Sequence, residues 1–129
     1  MAPKLEKILY AEDDADIRKI AVLAMEVLGG MTVETCESGV DVVEKALQFL
    51  PDLILLDVMM PNVDGPTALG QLRQVPELIS IPVIFITAKV MKEEVAEFRE
   101  LGAVDIIEKP FDPQSLTEKI NEIWESTQK

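Results

Sequence analysis

Five residues with reactive side chains stand at or just beyond the ends of short apolar runs in this chain. Ile8-Leu9-Tyr10-Ala11 leads into Glu12 and Asp13, with Asp14 behind them. Leu53-Ile54-Leu55-Leu56 leads into Asp57, and Val83-Ile84-Phe85-Ile86 into Thr87. The run over 103–107 stops just short of Lys109. A carboxylate at the mouth of a buried strand is costly unless something compensates it. Compensation takes a cation, a lysine, or further carboxylates sharing a metal, and this chain offers all three. Singly, each residue has a plainer use: acids cap helices, aspartate favours turns, threonine suits strand ends, and lysine is usually solvated. Their joint recurrence behind successive apolar runs is what points to a site.

The elements that must position these groups are legible in outline. The run over 8–11 reads as a first strand. A helix follows, with Ile17, Ile20, Ala21, Ala24, Met25 and Leu28 at helical spacing, Asp14 or a neighbour at its start and Gly29-Gly30 at its end. Thr32-Val33-Glu34-Thr35-Cys36 alternates and is β-branched, which suits a strand near a sheet edge. Ser38 and Asp41 form a capping-box pattern before a helix whose stripe is Val40, Val43, Leu47 and Leu50. The continuous apolar run over 53–56 predicts a strand buried on both faces. Pro66 opens a helix running to about Val75, with Ala68, Leu69 and Leu72 inward. After the strand over 83–86, a helix over 91–101 packs Val95, Phe98 and Leu101 and ends at Gly102. The strand over 103–107 and a last helix from Asp112-Pro113, with Leu116, Ile120 and Ile123 on one face, complete the chain.

Five strands alternating with five helices predict right-handed crossovers and a doubly wound parallel sheet covered on both faces. In such a sheet, ligands sit beyond the carboxyl ends of the strands. Glu12, Asp13, Asp57, Thr87 and Lys109 all fall at that edge.

The 129 residues predict one domain over 1–129, with 1–4 as a loose leader and no appended DNA-binding or catalytic domain. No stretch approaches the ~20 apolar residues of a membrane span and no signal-peptide core is visible, so a cytoplasmic location is expected. The chain has no histidine, which excludes His-based catalysis and disfavours zinc. Cys36 is the only cysteine and reads as a buried, inert thiol. The net charge of −12 argues against direct nucleic-acid binding and against anionic membranes.

The pieces ILYAEDD, LILLDVMMPNVDG, VIFITA and IIEKPF, in that order, resemble the receiver domain of two-component response regulators, a CheY-like family. The resemblance runs from about Lys4 to Ser126. It implies a flavodoxin-like sheet in strand order 2-1-3-4-5. It also implies a Mg²⁺ site in which Asp13, Asp57 and the Met59 carbonyl bind directly and Glu12 acts through a bound water. Clustered carboxylates repel one another by roughly 4 kcal/mol per pair at ~4 Å and an effective dielectric of ~20, and a hard dication with oxygen ligands relieves this. By the same resemblance, Asp57 takes a phosphoryl group from a phosphohistidine on a histidine kinase or phosphotransfer protein. Lys109 pairs with Asp57 at rest and with a phosphoryl oxygen afterwards. Thr87 is the switch that moves a surface in the last helix-strand-helix unit, where a downstream protein effector or a second copy would bind. The Lys109-Pro110 bond is expected to be cis.

Some positions depart from the common pattern. The acid pair is Glu-Asp, and Ile106 replaces an aromatic that many relatives carry. Met59 and Lys89 flank the phosphoryl position, and Met59 offers no good hydrogen bond to an attacking water, so a long-lived phosphorylated state is expected. Two other classes compete. A Mg²⁺-dependent aspartyl phosphohydrolase would carry a second acid where Met59 stands. A flavodoxin-like cofactor binder would carry a Ser-, Thr- or Gly-rich loop where the three acids stand. A receiver excised from a hybrid histidine kinase fits the same residues as a stand-alone one.

Overall fold

In the computed structural model, which describes residues 3–88 and 91–128, the strands are β1 (Lys7–Ala11), β2 (Thr32–Cys36), β3 (Leu53–Asp57), β4 (Val83–Thr87) and β5 (Asp105–Glu108). The helices are α1 (Ala15–Leu23), α2 (Val42–Phe49), α3 (Gly65–Leu72), α4 (Lys92–Leu101) and α5 (Pro113–Thr127). All strand pairs are parallel, in the order β2-β1-β3-β4-β5. The doubly wound α/β expectation therefore holds, with β2 at an edge. Among the described residues no helix is long and apolar enough to cross a membrane.

Strand alternation divides the core in two. Leu9, Ala11, Ile54, Leu56, Val83, Phe85 and Ile106 face α2, α3 and α4. Ile8, Tyr10, Leu53, Leu55, Ile84, Ile86 and Ile107 face α1 and α5. Every residue of β3 and β4 is buried, as continuous apolar runs require when helices cover both faces. Followed past the strand ends, the same alternation sends Glu12, Asp57 and Lys109 toward the α1 and α5 side.

Several helix faces differ from the sequence expectation. Beyond Leu23 the first helix continues as a π-helical segment, Ala24–Leu28. Its longer hydrogen-bonded rings take an extra residue into the turn. Ala21, Ala24 and Met25 stay buried, while Ile20 and Leu28 are exposed. Thr117 of α5 donates its hydroxyl to the Ala24 carbonyl at 3.3 Å. Ser38 caps a 3₁₀ turn, Gly39–Asp41, by accepting from the Val40 N–H, and Asp41 does not return the bond. That tighter turn puts α2 in another phase. Val42 and Ala46 are buried, and Val40, Leu47 and Leu50 are exposed. Leu50 ends α2 in the left-handed region, at φ 50°. Helix α3 stops at Leu72 rather than near Val75. Leu101, next to the left-handed Gly102, is exposed, and β5 begins two residues later than expected. Pro3 is tied down, since its carbonyl accepts from Trp124 Nε1 at 2.8 Å. Lys89 lies outside the described residues.

Candidate functional site

The strand ends that carry the candidate side chains are tied to one another at the carboxyl edge of the sheet by backbone bonds. The Glu12 N–H donates to the Cys36 carbonyl at 3.0 Å, and the Val58 N–H to the Ile86 carbonyl at 2.9 Å. The Lys109 N–H donates to the Thr87 carbonyl at 2.8 Å, which sets the ends of β4 and β5 side by side. Asp14 caps α1 by accepting from the Asp16 and Ile17 N–H groups, which turns the chain away directly after Asp13. Beyond β3 the loop folds back, and the Gly65 N–H donates to the Val58 carbonyl at 3.0 Å. A Cβ on Gly65 would stand 2.6 Å from the Asp57 carbonyl oxygen, so only glycine permits this approach.

The strand ends bring the expected acids together. One carboxylate oxygen each from Glu12, Asp13 and Asp57 lie within 4.8 Å of one another. Glu12 and Asp57 are buried and Asp13 is exposed, so the cluster opens to solvent on one side. Lys109 Nζ reaches Asp57 Oδ2 at 3.1 Å and Glu12 Oε1 at 2.7 Å. The contact of Lys109 with Asp57 is the resting pair expected. The ammonium is shared, and its shorter contact is with Glu12, whose additional methylene carries the carboxylate further over the sheet end. Asp57 Oδ1 accepts from the Met59 N–H at 3.2 Å. The Met59 side chain is 76% exposed, whereas Met60 is buried in the core as filler. Thr87 is buried at the end of β4, and Ile106 is buried in the core on the α4 side. The Lys109-Pro110 bond is cis, as expected. A hollow of about 410 Å³ opens beside Lys109, lined by Ile17, Ile20, Ala88, Pro110 and Phe111.

Burial, and then the neighbouring Asp57, push the Glu12 carboxyl pKa upward against the opposing pull of Lys109 and the Asp14 N–H. Burial alone would lower the pKa of the Lys109 ammonium. Its hydrogen bonds to Glu12 and Asp57 together outweigh that and raise it, so Lys109 stays charged at neutral pH. Burial also pushes the Cys36 thiol up to about 11, which fits the inert thiol expected.

Sequence reasoning missed two residues that hold Glu12. Arg18 Nη1 donates to the Glu12 carbonyl at 2.7 Å while Nη2 lies 3.5 Å from Glu37. Tyr10, fully buried, donates its hydroxyl to Glu12 Oε1 at 3.4 Å. The signal for Tyr10 was available, because residues two apart in a strand share a face. No pattern in the sequence marked Arg18.

The response regulator receiver domain model matches residues 8–121. Among curated proteins, the chain is 33% identical over 124 residues to ycf27 of Guillardia theta, a candidate transcriptional regulator, covering 96% of this chain and 47% of that protein. It is 34% identical over 117 residues to ycf29 of Pyropia yezoensis, also a candidate transcriptional regulator, covering 91% and 52%. The chain thus spans about half the length of the curated relatives it matches. Among solved structures, a candidate response regulator from Chloroflexus aurantiacus superposes with a TM-score of 0.85 at 29% identity, covering 95% of this chain and 99% of that one. The chemotaxis protein CheY4 of Vibrio cholerae gives 0.86 at 26% identity, covering 92% and 98%. The match runs from the first strand into the last helix, and the chain belongs to the response regulator receiver domain family of two-component systems.

Proposed function

We propose that this receiver is a Mg²⁺-dependent phosphoacceptor whose reacting group is Asp57. The observation that carries the reading is the bridge of Lys109 across Glu12 and Asp57, with Asp13 beside them. Three carboxylates against one ammonium leave two negative charges, which a divalent cation neutralises. The donor set is entirely oxygen and so suits a hard ion. Glu12, Asp13 and Asp57, with the Met59 carbonyl, are the groups that would hold it. When bound, the ion supplies charge neutralisation for phosphoryl transfer, which depends mainly on positioning and electrostatics.

An Asp57 carboxylate oxygen attacks the phosphorus of a phosphohistidine on a histidine kinase or phosphotransfer protein. The phosphorus–nitrogen bond breaks and its electron pair stays on the departing imidazole. Lys109 stabilises the charge on the phosphoryl oxygens. Thr87, at the neighbouring strand end, donates its hydroxyl to them and draws the end of β4 inward. That motion reaches α4, β5 and α5, the face through which a downstream protein, or a second copy, reads the signal. The acidic surface favours a protein reader over nucleic acid. The chain accepts and slowly loses the phosphoryl group in the cytoplasm and is not a turnover enzyme, because Met59 stands where a phosphohydrolase needs a second acid.

Incubation with acetyl phosphate and Mg²⁺, followed by intact mass, tests this. The protein gains one phosphoryl group, and Asp57→Asn or a chelator abolishes the gain. A protein that never gains it, or an Asp57→Asn variant that gains it equally, overturns the reading.

A further inference from the structure

The acids of the site are not held alike. Asp13 is exposed, and Asp57 takes its two bonds from the Met59 N–H and Lys109. Glu12 is fully buried and more heavily anchored. Its Oε1 accepts from Lys109 and from the Tyr10 hydroxyl, and its Oε2 accepts from the Asp14 N–H at 3.2 Å. The oxygen that receives the tyrosine is therefore the one that receives the ammonium. Tyr10 sits in the middle of the core on the α1 and α5 side, among Ile8, Leu55 and Ile86. A phenylalanine would fill that volume without a polar atom to satisfy. A buried phenol must find a partner, and strand alternation places Glu12 on its own face, two residues on.

We propose that Tyr10 is a positioning residue for the cation site: its buried hydroxyl fixes Glu12 Oε1 and, through it, the resting place of Lys109. The inference rests on the reading of the acid cluster as a Mg²⁺ site. Residues that orient the groups around a metal, without touching it, typically change affinity by about tenfold or more.

The test is a double-mutant cycle read by calorimetric titration with Mg²⁺, using wild type, Tyr10→Phe, Glu12→Asp and the double variant. Tyr10→Phe weakens Mg²⁺ binding about tenfold. In the Glu12→Asp background the shorter side chain withdraws the carboxylate from the hydroxyl, so Tyr10→Phe changes the affinity no further. Urea unfolding of the metal-free proteins separates this from a packing role, which would lower stability equally in both backgrounds and leave Mg²⁺ affinity alone. Equal Mg²⁺ affinity in wild type and Tyr10→Phe overturns the inference and spares the cation site. So does an equal loss in both backgrounds. Failure of wild type itself to bind Mg²⁺ overturns the cation site and this inference with it.

Discussion

At the scale of residues, the site is an arrangement of unlike acids around one ammonium. Glu12 is deep and anchored, Asp57 is buried at a strand end, and Asp13 faces water. Asp57 combines burial and the Lys109 contact at 3.1 Å with an exposed flank beyond it. Met59 forms that flank. Its side chain points to solvent and has neither a strong donor nor an acceptor to orient a water toward a phosphoryl group on Asp57. The phosphorylated protein is therefore expected to be long-lived, and Met59→Asn to hydrolyse several-fold faster. Following loss of the phosphoryl group by mass after removal of acetyl phosphate measures both, and equal half-lives would rule out a part for this side chain.

At the scale of elements, the loop behind β3 is fitted to the backbone of Asp57 with no room to spare. Gly65→Ala forces a Cβ against the Asp57 carbonyl, and overpacking of that kind costs about 1–3 kcal/mol. A fall of that size in the urea unfolding free energy is expected, together with weaker Mg²⁺ binding. A variant as stable as wild type would show that the loop yields freely. The same scale explains what the sequence made legible. Continuous apolar runs fixed β3 and β4, because residues buried on both faces leave no period to misread. The site followed from the strands as a set, since Asp57 and Thr87 end β3 and β4 while Glu12, Asp13 and Lys109 follow β1 and β5. Helix faces were harder to read. The stripes Ile17–Leu28 and Val40–Leu50 assume an unbroken 3.6-residue period, and a π turn and a 3₁₀ turn interrupt it. The sharing of Lys109 between Glu12 and Asp57 depends on side-chain reach, which spacing does not encode.

At the scale of the whole molecule, the sheet separates two cores, and the acid cluster lies at the rim where both end. Trp124 lies toward the other rim. It is buried near the end of α5 with Leu5 and Met31, and its indole donates to Pro3. The five residues of β1 separate the two rims by roughly 16 Å. As the only tryptophan, it should report global unfolding and be nearly blind to the site. Its emission is expected to follow far-UV circular dichroism through one urea transition and to stay constant on adding Mg²⁺. A large change in emission with Mg²⁺ would mean that the far rim feels the ion.

The bond from Thr117 to the Ala24 carbonyl joins residues 93 apart in sequence, the widened turn of the first helix and the opening turns of the last. The same hydroxyl lies 3.3 Å from the Pro113 carbonyl, one turn back in α5, so its single proton is divided between the two helices. The contact ties the two helices together at one point and contributes about 1 kcal/mol. A shift of α5 therefore either carries the first helix along or gives up this contact in favour of the Pro113 carbonyl.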